Sequence, residues 1–494
     1  MIGPGLGAGW AAGLFDAVVN PPQAYRSADD LAAAMTRPNG ASSDSVVRDS
    51  LKLIANMDKG LQGGNAFIEI NPDARVKARA LDLERAEGKV RGPLHGVPIA
   101  LKDVFETGDK MQTSGGSMAL VGRPASRNAK VVDNLLKAGV VIIGKTNMSE
   151  LSNFRSEAPV DGWSSRGGLT LNPHRLDGQA AGSSTGSAVA VAQGIVPLAL
   201  GVETNGSIIT PAAYNGVIGF KPTEGLVSTE GVMTSSRQDT VGTFTRNVRD
   251  AAQALDAMTD TNRYTQGIKP DALVGKRIGY TPLPELSAED ANDPAKIADR
   301  QHFEDAITLL RGKGATLVPV GQLGEGVPYE THEQYNDALL SDVKHQLEAY
   351  LAGRAGLPVK SLAELIEFNE RNSGPGVPDQ QMLTMINGMD ISDEARNELW
   401  AAIGPIFKST IDKPLAEHKL DAIVSNFHSY SYYYSAVAGY PGISMPSGMD
   451  DEGMPTAVHF YGANLSEATL LSVAYGYEQA SHAIRKPAFT PGLR

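Results

Sequence analysis

Two hydrophobic periods organise the chain. Between residues 25 and 90 the apolar positions Leu31, Ala34 and Met35, then Val46, Val47, Leu51, Ile54 and Met57, recur close to every 3.6 residues and predict helices. Residues 65–71 (NAFIEIN) alternate as a short strand would, and residues 74–89 return to a charged helical pattern. The stretch Gly92-Pro-Leu-His-Gly-Val-Pro98 then punctuates the chain. From Val97 to Gly219 the pattern changes. Short apolar runs at Val97–Leu101, Val140–Ile143, Val196–Val202 and Gly216–Phe220 predict buried strands. Between them, residues 129–138 predict an amphipathic helix and the small apolar residues 186–194 a tightly packed one. Such alternation predicts βαβ units and a mixed or parallel sheet.

Residues 262–415 are more charged and predict mostly helix after a strand around Lys276–Tyr280. Residues 419–426 and 436–446 return to strand-like runs. The expectation is an α/β fold: one large mixed central β-sheet covered by helices on both faces. Residues 1–90 form its N-terminal helical region and residues 91–260 its core. Residues 261–415 form a mostly helical variable region that shapes a substrate pocket, and residues 416–494 return to the sheet. All four parts belong to one compact domain. No internal repeat is visible.

Composition narrows the function more than the fold. The chain has 494 residues, 41% hydrophobic and 20% charged, with a net charge of −12. A diffuse acidic surface argues against nucleic acid and against an anionic membrane as partners, because both need clustered Lys and Arg. The absence of cysteine removes disulfides, thiolate nucleophiles and Cys-based zinc sites. No run of ~18 apolar residues predicts a transmembrane helix. Met1–Phe15 lacks the basic start of a signal peptide. The compartment stays open: the cytoplasm is favoured, with the periplasm or medium open to a chain whose signal segment was removed. Monomer and homodimer are equally compatible with the pattern.

Three motifs compete for the chemistry. Gly139-Val-Val-Ile-Ile-Gly-Lys145-Thr146 matches the P-loop spacing, yet its middle residues are β-branched and apolar. They read as a strand, not as a loop whose N–H groups curl round phosphate. Gly182-Ser-Ser184-Thr-Gly186 matches the GxSxG elbow and would make Ser184 a nucleophile. That reading needs a downstream acid and histidine, and none of His418, His428, His459 and His482 stands in a recognisable acid-then-His pattern. The third is a constellation: Lys102 at the end of an apolar run, the Gly/Ser segment 181–187, and Gly201-Val-Glu-Thr-Asn-Gly-Ser207. Small residues before Ser207 suit a turn whose N–H groups converge, as in an oxyanion hole. The residues alone leave Ser183, Ser184 and Ser207 unranked.

Taken together these segments resemble the amidase signature family. RGPLHGVPIALKD, GKTNMSEL, SSRGGLTLNP, AAGSSTGSAVAVA, GVETNGSI and GVIGFKPTEGLVS occur in that family's order. The resemblance runs from Leu51 to Leu493, with C-terminal echoes AVAGYPGISMPSG and GMPTAVHFYGANLSEATLL. The segments DGWSSRGG, LIEFNE and AYGYEQ bring it nearest to the peptide amidase subgroup.

The resemblance implies a serine hydrolase of linear amides that works through an acyl-enzyme and requires no cofactor and no metal. Ser207 would be the nucleophile. Ser183 would be the relay, held by a cis Gly182–Ser183 bond, and Lys102 the base, neutral through burial. The N–H groups of Thr204, Asn205, Gly206 and Ser207 would form the oxyanion hole. Ser184 would support Lys102 by hydrogen bonding, and Asp239 would support the site from behind. Asn205 stands where Asp or Gly is expected, and Ile209 and Thr210 replace the common Arg and small residue. The missing Arg weakens assignment to the branch that delivers ammonia to tRNA-bound substrates.

A small-molecule or peptide amide is the expected substrate. Anilides, esters and carbamates are alternatives, and a silent subunit is the competing class. The aromatic run Tyr430, Tyr432, Tyr433 and Tyr434 either lines the pocket or packs a loop on the core.

Overall fold

A computed structural model describes residues 24–59, 63–288 and 290–489. In chain order its strands are β1 (Phe67–Ile70), β2 (Pro98–Lys102), β3 (Val141–Thr146), β4 (Trp163–Ser164), β5 (Gly168–Leu169), β6 (Leu198–Glu203), β7 (Ile218–Lys221), β8 (Thr240–Thr245), β9 (Arg277–Tyr280), β10 (Thr316–Pro319), β11 (Ala422–Asn426), β12 (Gly442–Met449) and β13 (Pro455–Tyr461). Strands β4 and β5 form a small hairpin. The other eleven make one sheet in the order β1-β3-β2-β6-β8-β7-β12-β13-β11-β9-β10. It is mixed: β2 runs parallel to both β3 and β6, whereas β6, β8, β7, β12 and β13 are successively antiparallel.

The central strands β2, β3, β6, β7 and β8 are buried along their whole length. A sheet buried on both faces needs apolar residues on both, which explains the unbroken apolar runs. One helix on the sheet, Thr185–Ala192, is buried at every residue. Its small side chains allow the close approach: a Cβ on Gly186 would lie 2.3 Å from the Ala66 carbonyl and 2.5 Å from that of Asn147.

The structure departs from the sequence reading in three places. Strand β8 sits in mid-sheet although Thr-Val-Gly-Thr-Phe-Thr shows no apolar run; Gly242 admits the Phe220 carbonyl 2.2 Å from where its Cβ would stand. Strand β10 adds a strand to the region expected to be mostly helical. Residues 436–446 divide between the end of helix Ser431–Val437 and the start of β12.

The charged region contributes helices Tyr329–Gly353, Leu362–Arg371, Gln381–Gly388 and Asp393–His418. They are clamped to the sheet's loops by Asp342, which is 1% exposed. Its carboxylate accepts from the Ser236 hydroxyl (3.0 Å) and the Arg237 backbone (3.0 Å), and forms ion pairs with the Arg237 and Arg396 guanidinium groups at 3.0 Å. This clamp holds the loop that leads into β8 against the helical layer.

Candidate active site

Parallel β2 and β6 lie side by side, with Leu101 opposite Leu200. Their carboxyl ends therefore deliver Lys102 and the loop 204–207 to the same edge of the sheet, where open α/β sheets bind ligands. The Gly/Ser segment arrives from the other direction as the entry to helix Thr185–Ala192. Its Gly182–Ser183 peptide is cis. Three hydrogen bonds stitch the serine loops in place. Ser184 N–H donates to the Ser207 carbonyl (3.3 Å), Ser149 N–H to the Ser183 carbonyl (3.1 Å), and the Thr210 hydroxyl to the Gly182 carbonyl (2.9 Å).

Lys102 is fully buried, and its Nζ lies 2.7 Å from Ser183 Oγ and 3.3 Å from the Val202 carbonyl. Burial pushes its pKa down to about 7; the carboxylates of Asp239 and Glu203 oppose this. The amine is thus poised between its two protonation states near neutrality. Ser207, 7% exposed, is the most accessible of the three serines; Ser183 and Ser184 are fully buried.

The loop 204–207 is braced from beneath. Glu203 Oε2 accepts the N–H groups of Ile208 (2.8 Å) and Ile209 (2.9 Å), curling the chain directly after Ser207. Burial raises the Glu203 carboxyl, and buried Lys221 is the first charge to oppose that rise. Asp239 accepts the Thr204 hydroxyl (2.7 Å) and the Ser235 N–H (2.7 Å); burial pushes its pKa up to about 6. Gln238 Nε2 donates to the Thr204 carbonyl (2.5 Å) and to Tyr335 Oη (3.0 Å), which also accepts from Asn205 Nδ2 (3.2 Å). Among the described residues the N–H groups of Asn205 and Ser207 have no protein acceptor.

Several expectations change. Among the described residues Ser184 makes no hydrogen bond to Lys102. Its Oγ donates to the Val202 carbonyl (3.1 Å) and accepts the Val202 N–H (3.3 Å), so it shares a carbonyl with Lys102 and pins the end of β6. No histidine hydrogen-bonds Ser183, Ser184 or Ser207 among the described residues, which leaves the GxSxG match without a base. The P-loop match is strand β3, and its Lys145 is spent on the carbonyls of Phe105 (2.8 Å) and Gln112 (2.7 Å) and the Thr113 hydroxyl (3.0 Å).

The tyrosine run divides in two. Tyr432 lies against Gly206, 2.8 Å from where a Cβ would stand, and Tyr430 is 64% exposed beside it. Tyr433 and Tyr434 instead pack on Phe407 and His332, so these two anchor the loop to the helical layer. Sequence reasoning missed Glu203, Gln238 and Tyr335. Glu203 lies within the GVETNGSI segment, but Tyr335 stands 130 residues from Asn205 with no local signal.

Comparison with known proteins fits this geometry. A family model described as Amidase matches residues 45–471, so the chain belongs to the amidase family. It is an amidase, an enzyme of amide hydrolysis. Peptide amidase from Stenotrophomonas maltophilia superposes with a TM-score of 0.87 at 39% identity, covering 95% of this chain and 99% of that one. An amidase family protein from Bacillus anthracis gives 0.86 at 31% identity, covering 98% and 95%. A probable amidase from Arabidopsis thaliana is 36% identical over 432 residues, covering 86% of this chain and 84% of its own.

Proposed function

We propose that this amidase cleaves linear carboxylic amides, peptide amides among them, through an acyl-enzyme on Ser207, with Ser183 as relay and Lys102 as base. The observation that carries the proposal is the 2.7 Å contact of Lys102 Nζ with Ser183 Oγ in a fully buried setting that favours the neutral amine. Neutral Lys102 takes the Ser183 proton as Ser183 takes that of Ser207. Ser207 Oγ then attacks the amide carbon, and the unengaged N–H groups of Asn205 and Ser207 receive the negative oxygen, whereas the Gly206 N–H is turned to the Glu203 carboxylate. The C–N bond breaks as Ser183 returns a proton to the departing nitrogen and recovers one from Lys102. Water repeats the path in reverse, releasing carboxylate and ammonia or amine.

Asn205 contributes its backbone N–H, while its side chain is engaged with Tyr335. The likeness to peptide amidase supports a carboxamide substrate. Buried, apolar Ile209, in place of an arginine, speaks for a self-sufficient hydrolase rather than one component of an amidotransferase.

The test combines ammonia release from a peptide amide with fluorophosphonate labelling. Both activities should vanish in Ser207→Ala. A label that persists undiminished in that variant would sink the nucleophile assignment.

A further inference from the structure

We propose that Asp161 and the rings of Tyr214, Phe427, Tyr430 and Tyr432 form a cation-binding subsite beside the serines, fitted to a guanidinium on the substrate. The inference rests on the amide hydrolysis proposed at Ser207 and names the substrate class it favours.

Asp161 stands next to the cis peptide: a Cβ on Gly182 would lie 2.6 Å from its Oδ1. The carboxylate is oriented by hydrogen bonds and not by an ion pair. Asn153 Nδ2 donates to Oδ1 (2.8 Å) and Gln179 Nε2 to Oδ2 (3.0 Å), both neutral amides. None of the ion pairs among the described residues includes Asp161. Asn153 sits in a left-handed turn with Leu151 and Ser152, at φ values of 76°, 49° and 56°. Such strained backbone gathers at ligand sites. The Asn153 Oδ1 is buried without a partner, a second acceptor beside the carboxylate.

The aromatic wall adjoins the cis peptide: the Thr210 hydroxyl donates to the Gly182 carbonyl (2.9 Å), and both Thr210 and Tyr432 lie against Gly206. Tyr432 covers Gly206; Phe427 stacks on it with centroids 5.7 Å apart and an interplanar angle of 21°. Tyr214 meets Phe427 edge-on at 5.7 Å, and Tyr430 approaches Tyr432 at 5.9 Å. Tyr430, left-handed at φ 56° and exposed, forms the rim. Burial raises the phenols of Tyr214 and Tyr432, and in both cases the carboxylate of Asp161 adds to the rise, so its field reaches these rings.

A carboxylate beside aromatic faces attracts a cation through charge and ring quadrupole together. Guanidinium fits better than ammonium, because its planar fork meets a carboxylate bidentately while its face stacks on a ring.

The experiment compares Nα-acetyl-argininamide with Nα-acetyl-citrullinamide, a near-isosteric pair differing in charge. The full-length enzyme should prefer the arginine amide by about tenfold in kcat/KM, mainly through KM. The preference should shrink in 0.5 M salt, and Asp161→Asn and Tyr430→Ala should each bring the ratio toward one. Equal rates on the two amides, or a preference that survives both variants, would overturn the subsite and leave the amidase reading intact. Cleavage of neither amide, with Ser207 still labelled by fluorophosphonate, would overturn the substrate class altogether.

Discussion

Replacing Lys102 by methionine should make the protein more stable at pH 7 while abolishing activity. A drop of the amine pKa from 10.5 to about 7 corresponds to about 5 kcal/mol of preference for the neutral form. The unfolded chain binds a proton at this lysine up to pH ~10.5, and the folded chain only up to about 7. Folding therefore expels a proton between those limits, and stability rises with pH across them. At pH 7 the penalty is ~4 kcal/mol, and by pH 9 about 2 kcal/mol of it has gone.

Methionine removes the penalty. It also forfeits the contacts with Ser183 Oγ and the Val202 carbonyl, which costs about 2 kcal/mol. The net gain is about 2 kcal/mol at pH 7, falling close to zero at pH 9. Lys145 and Lys221 are also buried with lowered pKa values, but both proteins retain them, so their contributions cancel in the difference. Urea titrations of wild type and Lys102→Met at the two pH values give that difference directly. A difference that stays constant from pH 7 to pH 9 would show instead that Lys102 carries its charge in the folded state.

Other consequences are separable. The kcat/KM profile should rise about tenfold per pH unit up to an inflection near 7, where Lys102 loses its proton; a flat profile between pH 5 and 7 would exclude it as base. Asp342→Ala removes the only carboxylate paired with Arg237 among the described residues and leaves Arg396 with Asp393 alone, and should cost about 2 kcal/mol in urea unfolding. Saturating ATP should leave the melting temperature unchanged, since Lys145 Nζ is already committed to three acceptors. Tyr432→Leu should alter KM or kcat, whereas Tyr434→Leu should lower the melting temperature with steady-state kinetics unchanged.

What the sequence could reveal follows from how each element is buried. Strands β2, β3 and β6 are legible because both of their faces meet apolar layers, which writes an unbroken apolar run. Strand β8 is not, because it buries threonines and a glycine whose fit depends on the neighbouring Phe220 backbone. Lys102, Ser183 and Ser207 can be gathered as candidates, but ranking them requires the family pattern. The partner of the Ser184 hydroxyl escapes the sequence because it depends on how β6 sits under the turn, which no spacing encodes. The tyrosine run shows the same limit: helix Ser431–Val437 turns its rings to different sides, Tyr432 to the serine loop and Tyr433 and Tyr434 to the helical layer. Tyr335 reaches Asn205 from a helix far along the chain, and only the assembled fold brings them together.

Under the proposed mechanism Ser207 carries the acyl group during turnover. Acid-quenched reactions with a slowly deacylating ester, digested and mapped by mass spectrometry, test it most directly. One acyl group is expected on the peptide fragment containing Ser207, absent in Ser207→Ala and in Lys102→Met. An acyl group on Ser184, or turnover without any acylated serine, would contradict it.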